Sequence, residues 1–396
     1  MSARQPGAND RPVYLDYQAT TPTDPRVLAA MLPYFTEKFG NPHSASHRFG
    51  HEAEAAVERA RAQVAALIGA EPREIVFTSG ATESNNLAIK GAARFLRAHS
   101  RDAAPRDRIV TLATEHKCVL EAAARLAEEG FALDCLPVER SGLVDLERLA
   151  AAIGPRTALV SVMAANNEIG VIQPLAAIGA LCRERGALFH TDAAQAAGKI
   201  PLDVAAMGID LLSISGHKIY GPKGIGALYV RRRPRVRLMP LIDGGGQERG
   251  FRSGTLPTPL CVGLGEACAL AAAEMAAEAA RLLALRRRLL DAVTRRLPET
   301  QLNGDAERRL PGNLNLAFPG IDAEALLARC PAVAASTGSA CSSASIEPSY
   351  VLRALGLDAA MAAASVRIGL GRFTTEAEVD FAADALVAAI GDLKGR

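Results

Sequence analysis

Short apolar segments alternate with longer helical patterns between residues 50 and 230. An apolar run bounded by turn residues is typical of a buried strand, and its alternation with helices is typical of a parallel sheet. The predicted strands span residues 74–78, 109–112, 131–137, 157–163, 187–191, 211–215 and 226–231. The pattern therefore predicts an α/β fold with a mainly parallel seven-stranded sheet wrapped by helices.

Local signals mark the boundaries of the first elements. A helix predicted over 47–68 ends before Gly69, a residue type that commonly terminates helices. The strand over 74–78 then runs into Ser79-Gly80, and the next helix is predicted to begin near Thr82. A polar loop follows each of the main strands, and these loops hold the candidate functional residues.

The pattern changes towards the C-terminus. Residues 240–259 are rich in Gly and Pro and predict an irregular connection, and a long helix is predicted over 262–296. The later predicted strands span 313–318, 333–336 and 365–370. A chain of 396 residues also exceeds the usual size of one core. We therefore predict a large α/β domain over 21–260 and a smaller α+β domain formed by 1–20 and 261–396.

The charge balance argues against some function classes. Lys plus Arg (45) nearly equals Asp plus Glu (43), so the chain has no strong field to attract nucleic acid or anionic lipid. Residues 256–280 are apolar but include three glutamates and are expected to fall short of a membrane span. Residues 1–11 lack the apolar core of a signal peptide. We expect a cytoplasmic protein with no membrane and no nucleic-acid partner.

Lys218 lies in a turn directly after a predicted strand, in the motif Ser213-Ile-Ser-Gly-His-Lys218. An amine forms a Schiff base in its neutral form, and partial burial lowers the pKa of a lysine. Lysine is also scarce here, with seven among 45 basic residues. Lys218 is therefore the candidate Schiff-base lysine, and the alternative is an ordinary surface lysine.

Asp192 and Gln195 follow the strand predicted over 187–191. An ionised carboxylate at the base of a pocket can pair with a protonated pyridine nitrogen and so make an aromatic cofactor an electron sink. Gln195, one helical turn further on, is a candidate donor to a phenolic oxygen of the same ring. The alternative for Asp192 is an ordinary helix N-cap, a position that Asp favours.

The segment Thr78-Ser-Gly-Ala-Thr-Glu-Ser84 joins a strand to a helix through a glycine turn. Backbone N–H groups at a helix N-terminus bind anions, so Ala81 and Thr82 are candidates to hold a cofactor phosphate. The alternative is an ordinary capping box.

Two further residues follow predicted strands. His116 is a candidate to stack on an aromatic cofactor, and the alternative is an ordinary surface or core histidine. Asn167 is a candidate to contact a substrate carboxylate or the cofactor ring, and the alternative is an asparagine that shapes a turn.

Cys341 lies in a segment of small polar residues, Ser336-Thr-Gly-Ser-Ala-Cys-Ser-Ser-Ala344. Such a loop can bring a thiol into a pocket, and the thiolate is the form that attacks sulfur. The other six cysteines lie in or beside apolar elements and are expected to be inert, and no zinc-ligand spacing is present. Arg367 is a candidate to bind a carboxylate through two hydrogen bonds. The alternative is an ordinary arginine on an edge strand.

These residues, in this order, resemble the type I (aminotransferase-like) enzymes that depend on pyridoxal 5′-phosphate (PLP), and among the class V members the cysteine desulfurases of the IscS/NifS type. The motifs that carry the resemblance are Tyr14-Leu-Asp-Tyr-Gln-Ala-Thr-Thr-Pro22, Phe39-Gly-Asn-Pro42, Ser79-Gly-Ala-Thr-Glu83, Ser215-Gly-His-Lys218, Arg252-Ser-Gly-Thr-Leu-Pro257, Gly338-Ser-Ala-Cys341 and Gly369-Leu-Gly-Arg-Phe-Thr374. The resemblance covers nearly the whole chain. It implies removal of sulfur from L-cysteine to give L-alanine and a persulfide on Cys341.

The resemblance also implies how PLP is held. Lys218 would bind the cofactor covalently and Asp192 would pair with its ring nitrogen. Gln195 would contact the phenolic oxygen, and His116 would stack on the ring. The residues implied to bind the phosphate are Ala81, Thr82, Ser215, His217 and, from a neighbouring subunit, Thr255. Because Thr255 is borrowed across a two-fold axis, a homodimer is expected.

The substrate and the acceptor follow from the same resemblance. Asn167 and Arg367 would hold the cysteine carboxylate, and Lys218 and His116 would carry protons. The chain ends at Asp392-Leu-Lys-Gly-Arg396, without the longer tail with which housekeeping members dock an iron-sulfur scaffold. The protein that accepts the sulfur is therefore left open. It is either such a scaffold or a protein that assembles another sulfur-containing cofactor. No resident metal is expected, although Cys341 is a candidate for transient ligation of an iron-sulfur cluster.

Two alternatives to a desulfurase stay open at this point. One is another PLP enzyme of the same fold, an aminotransferase or a selenocysteine lyase, in which Cys341 has no catalytic part. The other is a non-catalytic sulfur carrier or iron-sulfur protein that uses exposed cysteines.

Overall fold

The computed structural model describes residues 11–99, 105–337 and 348–395. The strands in this part are β1 (Val13–Tyr14), β2 (Ile75–Thr78), β3 (Arg108–Leu112), β4 (Ala132–Leu136), β5 (Thr157–Ser161), β6 (Leu188–Asp192), β7 (Leu211–Ser215), β8 (Gly226–Val230), β9 (Gln301–Leu302), β10 (Asn313–Ala317), β11 (Val333–Ala334) and β12 (Ser365–Gly369). The helices are α1 (Pro25–Met31), α2 (Pro33–Thr36), α3 (Arg48–Leu67), α4 (Ala81–His99), α5 (Lys117–Glu128), α6 (Leu146–Ala152), α7 (Leu175–Arg185), α8 (Thr258–Thr294), α9 (Ala323–Arg329), α10 (Tyr350–Ala354), α11 (Ala359–Ala363) and α12 (Glu376–Leu393).

Seven of the described strands form one sheet, in the spatial order β2-β8-β7-β6-β5-β3-β4. Strand β8 runs antiparallel to both of its neighbours, and the remaining pairings are parallel. The predicted α/β fold with a mainly parallel seven-stranded sheet is therefore confirmed.

Helices cover both faces of this sheet. Successive strand residues alternate between the faces, so Val76 packs with α4 and α5 whereas Phe77 packs with α3, α7 and α8. Strands β5, β7 and β8 are consequently buried along their whole length. This burial on both faces explains why the sequence shows continuous apolar runs rather than an alternating pattern.

A second core cluster surrounds the antiparallel sheet β12-β10-β9. Leu314 and Ile368 belong to it, together with residues of α8, α9 and α12. The N-terminal segment reaches the same cluster through Leu15, and β1 pairs in parallel with β11. The division into domains over 21–260 and the remainder stays a prediction, because α8 itself runs through both clusters.

The 37-residue helix α8 is long and apolar enough to cross a membrane by length and composition. The expectation that this region falls short of a membrane span was therefore wrong on those two criteria. The helix contains an 18-residue stretch that is apolar and has at most two charged residues. Leu264 packs in the first core cluster and Leu289 in the second. The helix also packs against α1, α3 and α12, and 39% of its apolar stretch is buried inside the protein.

A buried ion pair fixes the irregular segment at 240–259. Glu248 accepts hydrogen bonds from Nη1 and Nη2 of Arg61 at 2.8 and 2.7 Å, and from the backbone N–H of Phe77 at 2.7 Å. Both charged side chains are nearly inaccessible to solvent. The carboxylate therefore links this segment to α3 and to the edge strand β2.

Replacing Glu248 with Ala is expected to lower the free energy of unfolding by ~3–5 kcal/mol, because the Arg61 guanidinium would stay buried without its carboxylate. Glu58→Ala is the matched control, since Glu58 contacts Nε of the same arginine at 2.9 Å but is 56% exposed. That change should cost at most about 1 kcal/mol. Urea unfolding of both variants at one protein concentration checks the difference. Equal losses would contradict the structural role assigned to Glu248.

Candidate active site

A cavity of about 530 Å³ lies at the carboxyl-terminal ends of the parallel strands. The loops that follow β2, β3, β5, β6 and β7 all contribute to its lining, together with residues of the N-terminal segment. In α/β sheets this edge is where ligands bind, because side chains from several loops converge there while the strands hold the loops rigidly.

Most of the predicted site residues line this cavity. They are Ala81, Thr82, His116, Asn167, Asp192, Gln195, Ser215, His217 and Lys218. Lys218 and Asp192 in particular come from different strands and face the same space. The structure thus brings these residues together, although their individual roles stay predictions.

Three predicted residues are placed differently. Thr255 is exposed and does not line the cavity. Arg367 does not line the cavity either and has no exposed surface. Cys341 lies outside the described residues.

Asp192 is held by two hydrogen bonds. Its Oδ2 accepts from Nδ2 of Asn85 at 2.6 Å, and its Oδ1 accepts from the backbone N–H of Ala194 at 2.9 Å. The second contact closes a turn, and no helix lies between β6 and β7 in the described residues, so the alternative of a helix N-cap was wrong. The first one is a side-chain contact from α4, which an ordinary cap does not need. Asn85 was missed by sequence analysis, although a buried asparagine on the inner face of an apolar helix is a signal that could have identified it.

Lys218 ends a 3₁₀ turn, Gly216–Lys218, directly after β7. Its amine donates hydrogen bonds to the backbone carbonyls of Gln18 and Ala19, the latter at 2.7 Å. The N-terminal segment therefore forms one wall of the cavity at the lysine. Sequence analysis assigned no site role to Gln18 or Ala19.

The N-terminus of α4 lies at one end of the cavity. Glu83 accepts from the backbone N–H of Ser79 at 2.8 Å and from Nε of Arg252 at 2.9 Å. Burial alone would raise the pKa of Glu83, but these hydrogen bonds outweigh it and the pKa lies below its usual value. The ionised Glu83 thus fixes the Ser79–Gly80 turn and leaves the N–H groups of Ala81 and Thr82 beside the cavity.

His217 lies close to this end. Burial, reinforced by the nearby Lys218, lowers its pKa to about 4, so the ring is neutral at physiological pH. Its Nδ1 lies 3.1 Å from Oγ1 of Thr20. A neutral imidazole can still donate one N–H to an anion.

His116 begins the helix α5 as its N-cap. Its Nδ1 accepts from the backbone N–H of Cys118 at 3.2 Å, and Sγ of Cys118 lies 3.0 Å from the same nitrogen. Because a backbone N–H can only donate, Nδ1 carries no proton, and the proton of the neutral ring lies on Nε2. The helix cap thereby sets the tautomer of a cavity-lining histidine.

The chain matches known proteins over nearly its full length. The aminotransferase class-V family matches residues 13–381. A cysteine desulfurase of Mus musculus is 60% identical over 374 residues, which cover 94% of this chain and 80% of that protein. The cysteine desulfurase IscS of Rickettsia bellii is 58% identical over 383 residues, 97% of this chain and 92% of that protein. The chain belongs to the cysteine desulfurases.

Solved structures agree with this assignment. A NifS-like protein superposes with a TM-score of 0.88 at 37% identity, covering 96% of this chain and all of that one. SspA in complex with cysteine superposes with a TM-score of 0.78 at 39% identity, covering 91% of this chain and 99% of that one. The predicted family, fold and enzyme class are therefore confirmed, and the chain is an enzyme that mobilises sulfur from cysteine.

The class-V aminotransferases are PLP enzymes, and the cavity of this desulfurase suits that cofactor. A carboxylate, a lysine amine and the N-terminus of a 19-residue helix match the ring nitrogen, the aldehyde and the phosphate respectively. Among the described residues, Oδ1 of the buried Asn167 has no hydrogen-bond partner. An unsatisfied buried polar atom at a cavity is costly unless a ligand or water pairs with it.

Arg367 lies behind the cavity wall, where it contacts the cavity-lining Asn167. Its Nη2 donates to Oδ1 of Asp16 at 2.8 Å, and its Nη1 donates to the backbone carbonyl of Asn167 at 3.1 Å. Its buried Nε has no partner within the described part of the chain.

Proposed function

We propose that this desulfurase binds PLP in the cavity through Lys218 and passes the sulfur of L-cysteine to Cys341 as a persulfide. The observation that carries the proposal is that Lys218, in the turn after β7, and Asp192, at the end of β6, line one cavity next to a helix N-terminus. Relatives of high identity that are named cysteine desulfurases support the substrate.

The predicted site residues that line the cavity would hold the cofactor. When bound, PLP supplies an electron sink for the α-carbon of the substrate. The Asp192 carboxylate, oriented by Asn85, keeps the ring nitrogen protonated. Gln195 donates to the phenolic oxygen, and the His116 ring covers one face. The phosphate is held by Ala81, Thr82, Ser215 and His217.

Proton movement falls to Lys218 and His116. The amine of Lys218, in its neutral form, takes the α-proton of the substrate, and Nε2–H of His116 is the second proton carrier. The substrate carboxylate accepts from Nδ2 of Asn167 and from Nε of Arg367, and the second contact satisfies a buried donor that otherwise has no partner in the described residues.

Sulfur transfer is a displacement at the substrate sulfur. The Cys341 thiolate attacks that sulfur, a sulfur–sulfur bond forms and the carbon–sulfur bond breaks. The electron pair of the broken bond stays on the carbon, which takes up a proton to become the methyl group of L-alanine. The thiolate becomes a persulfide, so the electrons and atoms balance without a further oxidant.

A homodimer would complete the phosphate site. Thr255 is exposed on a segment that Arg252 ties to Glu83, so its hydroxyl is available to a second copy of the chain. A two-fold arrangement would give each cavity the Thr255 of its partner.

The persulfide sulfur is passed on to an acceptor protein, for which we propose an iron-sulfur scaffold, with Cys341 as a transient cluster ligand. The six described cysteines are all free thiols, which agrees with a reducing, cytoplasmic location.

Isotopic labelling tests the proposed reaction. The PLP-loaded protein is incubated with L-cysteine that carries heavy sulfur, persulfides are trapped by alkylation, and the peptides are mapped by mass spectrometry. The expected result is heavy sulfur on the peptide that contains Cys341, with one L-alanine formed for each sulfur transferred. Label on another cysteine, or sulfide release with no trapped persulfide, would overturn the proposal.

A further inference from the structure

Gln195 is held between two groups of opposite hydrogen-bonding character. Its Nε2 donates to the backbone carbonyl of Gln18 at 2.8 Å, and its Oε1 accepts from the amine of Lys199 at 3.2 Å. The carbonyl of Gln18 also accepts from Lys218. The two lysines and Gln195 thus belong to one hydrogen-bond network at the edge of the cavity.

These contacts determine which way the Gln195 amide points. A carbonyl can only accept, so it requires the NH₂ group, and an ammonium can only donate, so it requires the oxygen. The reversed amide would lose both hydrogen bonds in a buried site. The second N–H of Gln195 is then available to the cavity, and the amide presents a donor rather than an acceptor there.

Lys199 lies behind the cavity wall, beside the side chains of Tyr17, Tyr220 and Glu278. Its pKa is lowered to about 7, mainly by burial and next by the charge of Lys218, while Glu278 raises it and Arg367 lowers it. A lysine in this position is costly to bury, which makes a purely space-filling role a poor explanation.

We propose that Lys199 is a positioning residue that holds the Gln195 amide with its N–H towards the cofactor. This inference rests on the proposed function, because the acceptor for that N–H is the phenolic oxygen of PLP. Lys199 acts through Gln195 and does not itself touch the reacting atoms.

The first test uses the visible absorption of the PLP-loaded protein as a function of pH. A donor to the phenolic oxygen draws negative charge away from the Lys218 imine and lowers the pH midpoint of its absorption change. Lys199→Met should raise that midpoint by roughly half to one pH unit. Lys199→Arg keeps a donor, so its midpoint should return most of the way to that of the unmodified protein. Lys90→Met is the control for removing a half-buried lysine elsewhere.

A double-mutant cycle separates positioning from a general structural role. In the Gln195→Ala background, Lys199→Met should leave the midpoint unchanged, because the residue through which it acts is absent. A midpoint that moves equally with and without Gln195, or that does not move in Lys199→Met, overturns the proposal.

A second readout needs no cofactor. Competitive acetylation of the apo-protein over a pH range reports the pKa of Lys199, with an expected midpoint near 7. Loss of the Gln195 acceptor should lower that midpoint, because a hydrogen-bond acceptor stabilises the ammonium form. An unchanged midpoint in Gln195→Ala contradicts the contact itself. If the unmodified protein shows no PLP chromophore, the proposed function is refuted. The acetylation experiment then still tests whether Lys199 contacts Gln195.

Discussion

Replacing Cys341 with Ala is expected to lower sulfide release from L-cysteine by about a thousandfold or more, because the group that attacks the substrate sulfur is removed. The variant should still bind PLP, since the cofactor is held by other residues. The measurement compares sulfide and L-alanine formation with the absorption spectrum of the loaded protein.

Cys118→Ala is the matched control for this change. Among the described residues it is the cysteine that lines the cavity, and its thiol lies 3.0 Å from Nδ1 of His116. Its loss should change the rate far less, because the backbone N–H of residue 118 still donates to Nδ1 of His116 and keeps the histidine tautomer. Full activity in Cys341→Ala, or an equal loss in Cys118→Ala, would remove Cys341 from the mechanism and favour another enzyme of this fold.

Asp192→Asn is expected to lower kcat on the order of a hundredfold to a thousandfold, the range seen when one preorganised electrostatic partner is lost. Asparagine has the same shape but no charge, so it cannot keep the ring nitrogen protonated. PLP should still attach to Lys218, because the lysine and the helix N-terminus are unchanged. Steady-state kinetics and the absorption spectrum together report both effects.

The same substitution distinguishes catalysis from a purely structural role in the turn. Asn closes such a turn as Asp does, so a purely structural Asp192 predicts almost no change in rate or stability. Asp203→Asn is the control, because Oδ1 of Asp203 accepts from the backbone N–H groups of Ala205 and Ala206 at the protein surface. Equal, small effects of the two substitutions would contradict the role assigned to Asp192.

The central sheet and the place of the site could be predicted because both depend on local sequence. Strands buried on both faces give continuous apolar runs, and the polar loops after them converge wherever the strands are parallel. Asp192 and Lys218 follow neighbouring strands, so their meeting at one edge of the sheet follows from the topology. Two-residue strands such as β1 and β9 are too short to leave a periodic pattern.

The contacts that orient the site could not be predicted, because they join distant parts of the chain. Gln18 is separated from Lys218 by 200 positions, and Asn85 from Asp192 by 107. Neither pair belongs to a local motif. The role of Arg367 towards a substrate carboxylate stays a prediction, and its observed contact with Asp16 depends on the pairing of the N-terminal segment with the second core cluster.

Reduction with borohydride tests the central claim most directly, since it fixes PLP covalently to the amine that holds it. The loaded protein is reduced, digested and mapped by mass spectrometry. The account predicts a pyridoxyl group on Lys218, and none on Lys223, which lines the same cavity, or on Lys199. A pyridoxyl group on a different lysine, or bound PLP that borohydride attaches to no lysine, would contradict it.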